Sequence, residues 1–271
     1  MKQMAEREPV DGVSRRGFGR TALMGTIGAA VASMWSGSSP LEAQSLSDVD
    51  VLNFALNLEY LEAEFYTVAV TGKRIADFGI GTSGTGNPGA TSGGALVNFT
   101  ESRVSVTASQ VMADEQAHVT FLRTALGSAA VAKPAINLDA LGLGYKNQNE
   151  FITLARAFED VGVSAYGGAA ALLSNKNILT AAARIALTEA QHASVLRLLA
   201  ADARIAVPMI DGLDVPPIGS PGGRLFQVDG QGLSTIRTAS QVLAIVYANN
   251  NAGANAGGFY PSGVNGTIQR V

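Results

Sequence analysis

Two short stretches hold the residues with the most chemistry to offer. Asp114-Glu115-Gln116-Ala117-His118 places a histidine three residues after a glutamate, and Glu189-Ala190-Gln191-His192 repeats the spacing further along. The chain contains two histidines in 271 residues, and these motifs use both. Each continues to a Leu-Arg pair at the same offset, Leu122-Arg123 and Leu196-Arg197. Positions i and i+3 of a helix lie about 60° apart around its circumference and roughly 4.5 Å apart along its axis. A glutamate and a histidine at that spacing can converge on one point beside the helix.

The elements that must position them follow from apolar periodicity. Ser47 and Asp48 can cap a first helix running through Val51 to about Val70, with Leu52, Leu56, Glu59, Ala63, Tyr66 and Val70 on one stripe. Glu59 falls on that stripe; Glu62 and Glu64 fall off it and are expected to face water, with Glu62, one turn from Glu59, in reserve. A second helix spans about Glu101 to Leu126, its inner face carrying Val104, Ala108, Val111, Glu115, His118, Leu122 and Ala125. The third covers about Asn149 to Leu173 with Ile152, Ala155, Glu159, Gly162, Tyr166, Ala170 and Leu173 inward. After the short turn Ser174 to Asn177, the fourth runs from Ile178 to about Ala201 with Ile178, Ala182, Ile185, Glu189, His192, Leu196 and Leu199 inward, antiparallel to the third.

The connections are uneven. Residues 72 to 100 are rich in Gly, Ser, Thr and Asn and read as a long mobile loop, a role in subunit contact being the alternative. Residues 128 to 148 are long enough to cross the whole bundle. Beyond Arg204 the prolines at 208, 216, 217 and 221 break the pattern, which returns in one short helix near Ser240 to Ala248. This tail, 203–271, reads as a cover on the bundle or a contact between subunits of a homo-oligomer. The expected architecture is all-α: a four-helix bundle over 47–202 with a long crossover between helices two and three, and an irregular C-terminal tail.

The halves match. Glu59 precedes Tyr66 and Glu159 precedes Tyr166 by the same interval, while helices two and four each hold Glu-x-x-His. A lone Glu-x-x-His is common on solvated faces. Two copies on apolar stripes, alternating with helices that bear one glutamate each, bring Glu59, Glu115, Glu159, Glu189, His118 and His192 together. Four carboxylates and two imidazoles suit two divalent metal ions, iron or manganese ahead of calcium because of the imidazoles. The charges agree, since four buried glutamates without compensation would cost several kcal/mol each.

Composition narrows the rest. At 47% hydrophobic the chain can bury a large core, and with 19 basic against 22 acidic residues it has no basic field for a nucleic-acid backbone. The absence of cysteine removes disulfides, thiolate ligands and thiol nucleophiles, leaving oxygen and imidazole as metal donors. Ser14-Arg15-Arg16-Gly17-Phe18 followed by a short Ala/Gly-rich apolar run to Met34 resembles a twin-arginine export signal. Cleavage near Ala43 would remove 1–43 after passage through the twin-arginine translocon and place the protein in the periplasm or outside the cell. That route carries proteins already folded, which suits one that acquires its metal in the cytoplasm.

The bundle pattern, the stretch Leu52-Asn53-Phe54-Ala55-Leu56-Asn57-Leu58-Glu59-Tyr60-Leu61-Glu62-Ala63-Glu64-Phe65-Tyr66 and the tail Gly257-Gly258-Phe259-Tyr260-Pro261 resemble the ferritin-like superfamily. More narrowly they are similar to exported ferritin-like domain proteins that include desiccation-related proteins. The resemblance implies that Glu115 and Glu189 bridge two metals, that Glu59 and Glu159 are terminal carboxylates, and that His118 and His192 bind one metal each. It places Tyr66 and Tyr166 beside the site, a core position being the alternative. Asp114 either orients the neighbouring helix's histidine or is an exposed aspartate. The implied chemistry is redox reaction with dioxygen or peroxide, as ferrous oxidation or peroxide removal; a non-catalytic stress-associated binding or structural protein is the alternative. The export signal, long first loop and tail depart from storage ferritins.

Overall fold

The computed structural model describes residues 46–271; the segment read as an export signal lies outside the described residues. Four long helices carry the architecture: α1 (Asp48–Thr71), α2 (Ser102–Leu126), α3 (Gln148–Ala169) and α4 (Lys176–Asp202), with a short α5 (Ala239–Val246) in the tail. The all-α bundle is thus the observed fold. Among the described residues no helix is long and apolar enough to cross a membrane.

Helix ends follow local chemistry. Ser47 caps α1 by accepting from the Asp50 amide, while the Asp50 carboxylate accepts from the Ser47 amide at 2.9 Å. Gly72, in the left-handed region at φ 70°, stops the helix by returning its N–H to Val68 O. Asn147 and Asn175 cap α3 and α4 through their side-chain oxygens. Helix α1 packs mainly on α2, and α3 on α4. The inner stripes run largely as read from the sequence, with two shifts. Leu126 takes the buried place expected of Ala125, which is exposed, and α3 gives way to a 3-10 turn at Ala170–Leu172.

The helices differ in how much of their circumference is covered. In α2 and α4 burial is confined to an inner stripe, whereas 18 of the 24 residues of α1 and 16 of the 22 of α3 are buried. For α1 the cover is the Gly-rich loop and the crossover, which bind each other. β1 (Thr91–Ser92) pairs in parallel with β2 (Ile136–Asn137), and Thr85 exchanges backbone bonds with Ala130 and Ala132 at 3.0 and 2.8 Å. The loop expected to be mobile is therefore fixed by a backbone ladder. Gly84 and Gly89 permit it, since a Cβ there would lie 2.3 Å from Ala130 O and 2.2 Å from the Ala135 amide nitrogen.

Neither Glu62 nor Glu64 faces water as expected: Glu64 is buried under this cover, and Glu62 is buried on the inner side, next to Gly162 of α3. Glu64 accepts from Thr91 Oγ1 at 2.8 Å and lies 3.4 Å from Lys133 Nζ, so its charge is matched by loop and crossover. The tail covers the outer side of α3. Arg156 and Arg197 share Asp160, Arg156 also holds Asp214, and Arg197 donates to the carbonyls of Val215, Arg224 and Leu225. Two buried cations and two buried anions cancel there. The last residues return to α1, where Tyr260 donates to Asn57 O at 2.6 Å and the Asn57 side chain donates to Asn265 O and accepts from Asn265 N.

Candidate metal centre

The six residues singled out by type and spacing meet in one place, between the inner faces of all four long helices. Glu59, Glu115, Glu159 and Glu189 are each fully buried, while His192 is buried and His118 half-buried. Their donor atoms form two overlapping groups, Glu59–Glu115–His118–Glu189 and Glu115–Glu159–Glu189–His192, each with all atoms within 4.8 Å of one another. Glu115 and Glu189 belong to both groups; Glu59 and Glu159 belong to one each.

The nitrogen geometry is informative. His118 Nδ1 lies 3.2 Å from Glu59 Oε2, 3.2 Å from Glu115 Oε2 and 3.3 Å from Glu189 Oε1. His192 Nδ1 lies 3.1 Å from Glu115 Oε1 and 3.2 Å from Glu159 Oε2. One ring nitrogen carries at most one proton and can satisfy one of these oxygens. Glu59 Oε2, Glu115 Oε1 and both oxygens of Glu189 are in fact buried without a hydrogen bond. Around an ion with bonds of about 2.1 Å, adjacent ligand atoms lie about 3 Å apart. The observed separations are compatible with that spacing, so the donor set could hold a metal ion.

Further side chains fix these carboxylates and imidazoles. The Tyr66 hydroxyl donates to Glu159 Oε1 at 2.5 Å, and Tyr166 donates to Glu59 Oε1 at 2.5 Å, each tyrosine reaching the glutamate of the other helix. Asp114 Oδ2 lies 3.1 Å from His192 Nε2. A proton on Nε2 bonded to Asp114 leaves the Nδ1 lone pair facing the carboxylates.

Protonation follows from crowding. Burial first, then the charges of Glu159 and Glu59, push Glu115 up from 4.5 to about 7. Burial together with neighbouring carboxylates pushes Glu189 and Glu62 well above the ordinary range. Burial works against ionisation of Glu59 too, but His118 holds it below its usual value. Burial disfavours charged imidazoles, yet the surrounding carboxylates prevail: Glu115 and Glu159 raise His192 to about 12, and Glu115, Glu189 and Glu59 raise His118. Burial and the facing glutamates keep both tyrosines protonated. The metal-free centre thus holds protons in place of cations.

Access is from the side of α2 and α4. A cleft of about 260 Å³ lined by Ala117, His118, Phe121, Arg184, Ile185 and Thr188 reaches His118. A larger apolar cleft of about 500 Å³, between α3, α5 and the tail, touches none of the six residues.

Sequence reading holds Glu62 only in reserve and leaves the Leu-Arg pairs without a role. Glu62 lies beside Glu189, both facing Gly162: a Cβ at 162 would be 2.8 Å from Glu189 Oε2 and 3.3 Å from Glu62 Oε1. The arginines of the two Leu-Arg pairs are clamps. Arg123 donates to the Tyr60 hydroxyl and, at 2.7 Å, to Ser83 O of the long loop, as Arg197 does to Asp160 and the tail. The repeated offset was the available signal. Residues 47–202, more than half of the chain, match the family model described as a ferritin-like domain. No curated protein matches the chain.

Proposed function

We propose that this chain, which belongs to the ferritin-like domain family, holds two divalent iron or manganese ions and uses them in redox chemistry with dioxygen or peroxide, as a ferrous-iron oxidase or a catalase-like protein. The observation that carries the reading is His118 Nδ1 facing three carboxylate oxygens at 3.2 to 3.3 Å, with no donor to satisfy them all. Glu115 and Glu189, common to both donor groups, suit bridging; Glu59 with His118 and Glu159 with His192 suit the two ends. When bound, such ions supply electron transfer to and from oxygen species. Tyr66 and Tyr166 orient the terminal carboxylates, Asp114 sets the His192 tautomer, and the apolar walls keep bulk water from the inner oxygens. The cleft at His118 admits small molecules. We further propose that residues 1–43 are a cleaved twin-arginine signal, that the protein works in the periplasm or outside the cell, and that it resembles desiccation-related proteins.

Metal analysis of protein purified from the exported fraction tests the centre, with about two equivalents of iron or manganese expected and loss of both in Glu115→Ala with His118→Ala. Absence of metal from the wild type, or its retention in that variant, refutes the reading. Oxygen and peroxide consumption by the loaded protein then separates turnover from a non-catalytic metal-binding role. Export is tested with Arg15→Lys and Arg16→Lys together, which should leave the protein in the cytoplasm.

A further inference from the structure

We infer that Glu62 is a seventh ligand of the centre, a fifth carboxylate that joins it on the Glu189 side in space kept open by Gly162. The inference rests on the metal reading above and extends it to a residue outside both donor groups.

Three observations carry it. Glu62 is 5% exposed, and among the described residues it forms no salt bridge. A buried carboxylate without a partner costs several kcal/mol, and its neighbour Glu64 shows how this chain matches one that serves the fold, with Lys133 and Thr91. Glu62 is also aimed at the centre rather than away from it, since its Oε1 and Glu189 Oε2 flank the same methyl-sized gap over Gly162.

The third observation is positional. Glu59 and Glu159, and Tyr66 and Tyr166, occupy matching places in α1 and α3 at a constant interval of 100, which sets Glu62 opposite Gly162. The tyrosines keep the symmetry by bonding crosswise. At 62 and 162 it breaks: one half supplies a carboxylate and the other supplies the room for it. An alanine at 162 would already press on both carboxylates, so the glycine and the glutamate form one device.

Titration of metal-free full-length protein with Mn²⁺, by calorimetry and by chelator competition, tests this with Glu62→Gln and Glu62→Leu. We expect about two equivalents in the wild type and affinity weakened about tenfold to a hundredfold in both variants. The metal-free melting temperature should be undiminished, and in Glu62→Leu raised, because an uncompensated buried carboxylate is removed. That combination distinguishes a ligand from a structural residue. Wild-type affinity in both variants overturns the role of Glu62 while leaving the six-ligand centre intact. Failure of the wild type to bind metal overturns both.

Discussion

Gly162→Ala should uncouple metal affinity from stability. Gly162 lies inside α3, where alanine is favoured over glycine by about 1 kcal/mol, partly through the unfolded chain. The new methyl would sit 2.8 Å from Glu189 Oε2, against ordinary contacts beginning near 3.4 Å, so the carboxylate must retreat by about half an ångström. The obstruction is the free end of a side chain, and in the metal-free protein it can swing away at little cost. The expected metal-free change therefore lies between none and a gain of about 1 kcal/mol, or ~2–4 °C in melting temperature for a chain of this size. With metal the retreat matters, since ligand distances are held to about 0.2 Å. Affinity should fall about tenfold to a hundredfold, or ~1.4–2.7 kcal/mol. Calorimetric titration with Mn²⁺ and thermal melts of chelated protein measure the two effects. Unchanged affinity, or a metal-free loss above about 2 kcal/mol, would refute the idea that this glycine makes room for ligands.

Other perturbations follow from the same contacts. Asp114→Asn removes the acceptor at His192 Nε2 and should weaken metal binding about tenfold to a hundredfold with the metal-free fold unchanged, checked by calorimetry and circular dichroism. Glu115 titrates at about 7 when folded and 4.5 as its reference, so the folded state binds its proton more tightly. Its stabilising contribution to the metal-free protein is complete below 4.5 and is lost as pH rises through 7, which urea titrations of chelated protein at pH 5 and pH 8 should show. Metal must displace that proton, so affinity should drop about tenfold per unit below pH 7 for each proton released. Arg197→Met leaves Asp160 with Arg156 alone and three tail carbonyls without a donor. It should cost about 3–5 kcal/mol and speed hydrogen exchange across 213–227.

The six ligand candidates were legible because histidine is scarce and each glutamate lies on an apolar stripe. Asp114 was legible only as a choice, since the identity of its neighbour depends on how α2 sits against α4. Glu62, held in reserve, is buried on the inner side beside Gly162. Glu64 was misread because a stripe argument presumes that the opposite side of the helix is wet. For α2 and α4 that holds. For α1 and α3 it fails, because the loop, crossover and tail bring polar cover to the outer side. A hint was present in α1, where Leu58, Leu61, Phe65 and Val68 lie off the expected stripe, and a helix apolar all round is a buried one. The Gly-rich loop was misjudged because its order comes from backbone bonds to a distant segment, and such bonds leave little trace in side-chain composition.

The internal repeat joins these coverings to the centre. Each histidine is followed five residues later by an arginine, and each terminal glutamate is followed at once by that arginine's partner, Tyr60 for Arg123 and Asp160 for Arg197. One bond per half therefore ties the back of a glutamate helix to the back of its histidine helix, directly behind the ligands. The same arginines hold the long loop through Ser83 and the tail through Val215, Arg224 and Leu225. Long insertions cost little extra closure entropy, and here they are pinned to the helices that carry the six clustered glutamates and histidines. The halves diverge where one carries Glu62 and the other Gly162. The surroundings of the two donor groups are consequently inequivalent although their six residues repeat, and the inequivalence originates in a residue pair that the repeat would otherwise have made alike.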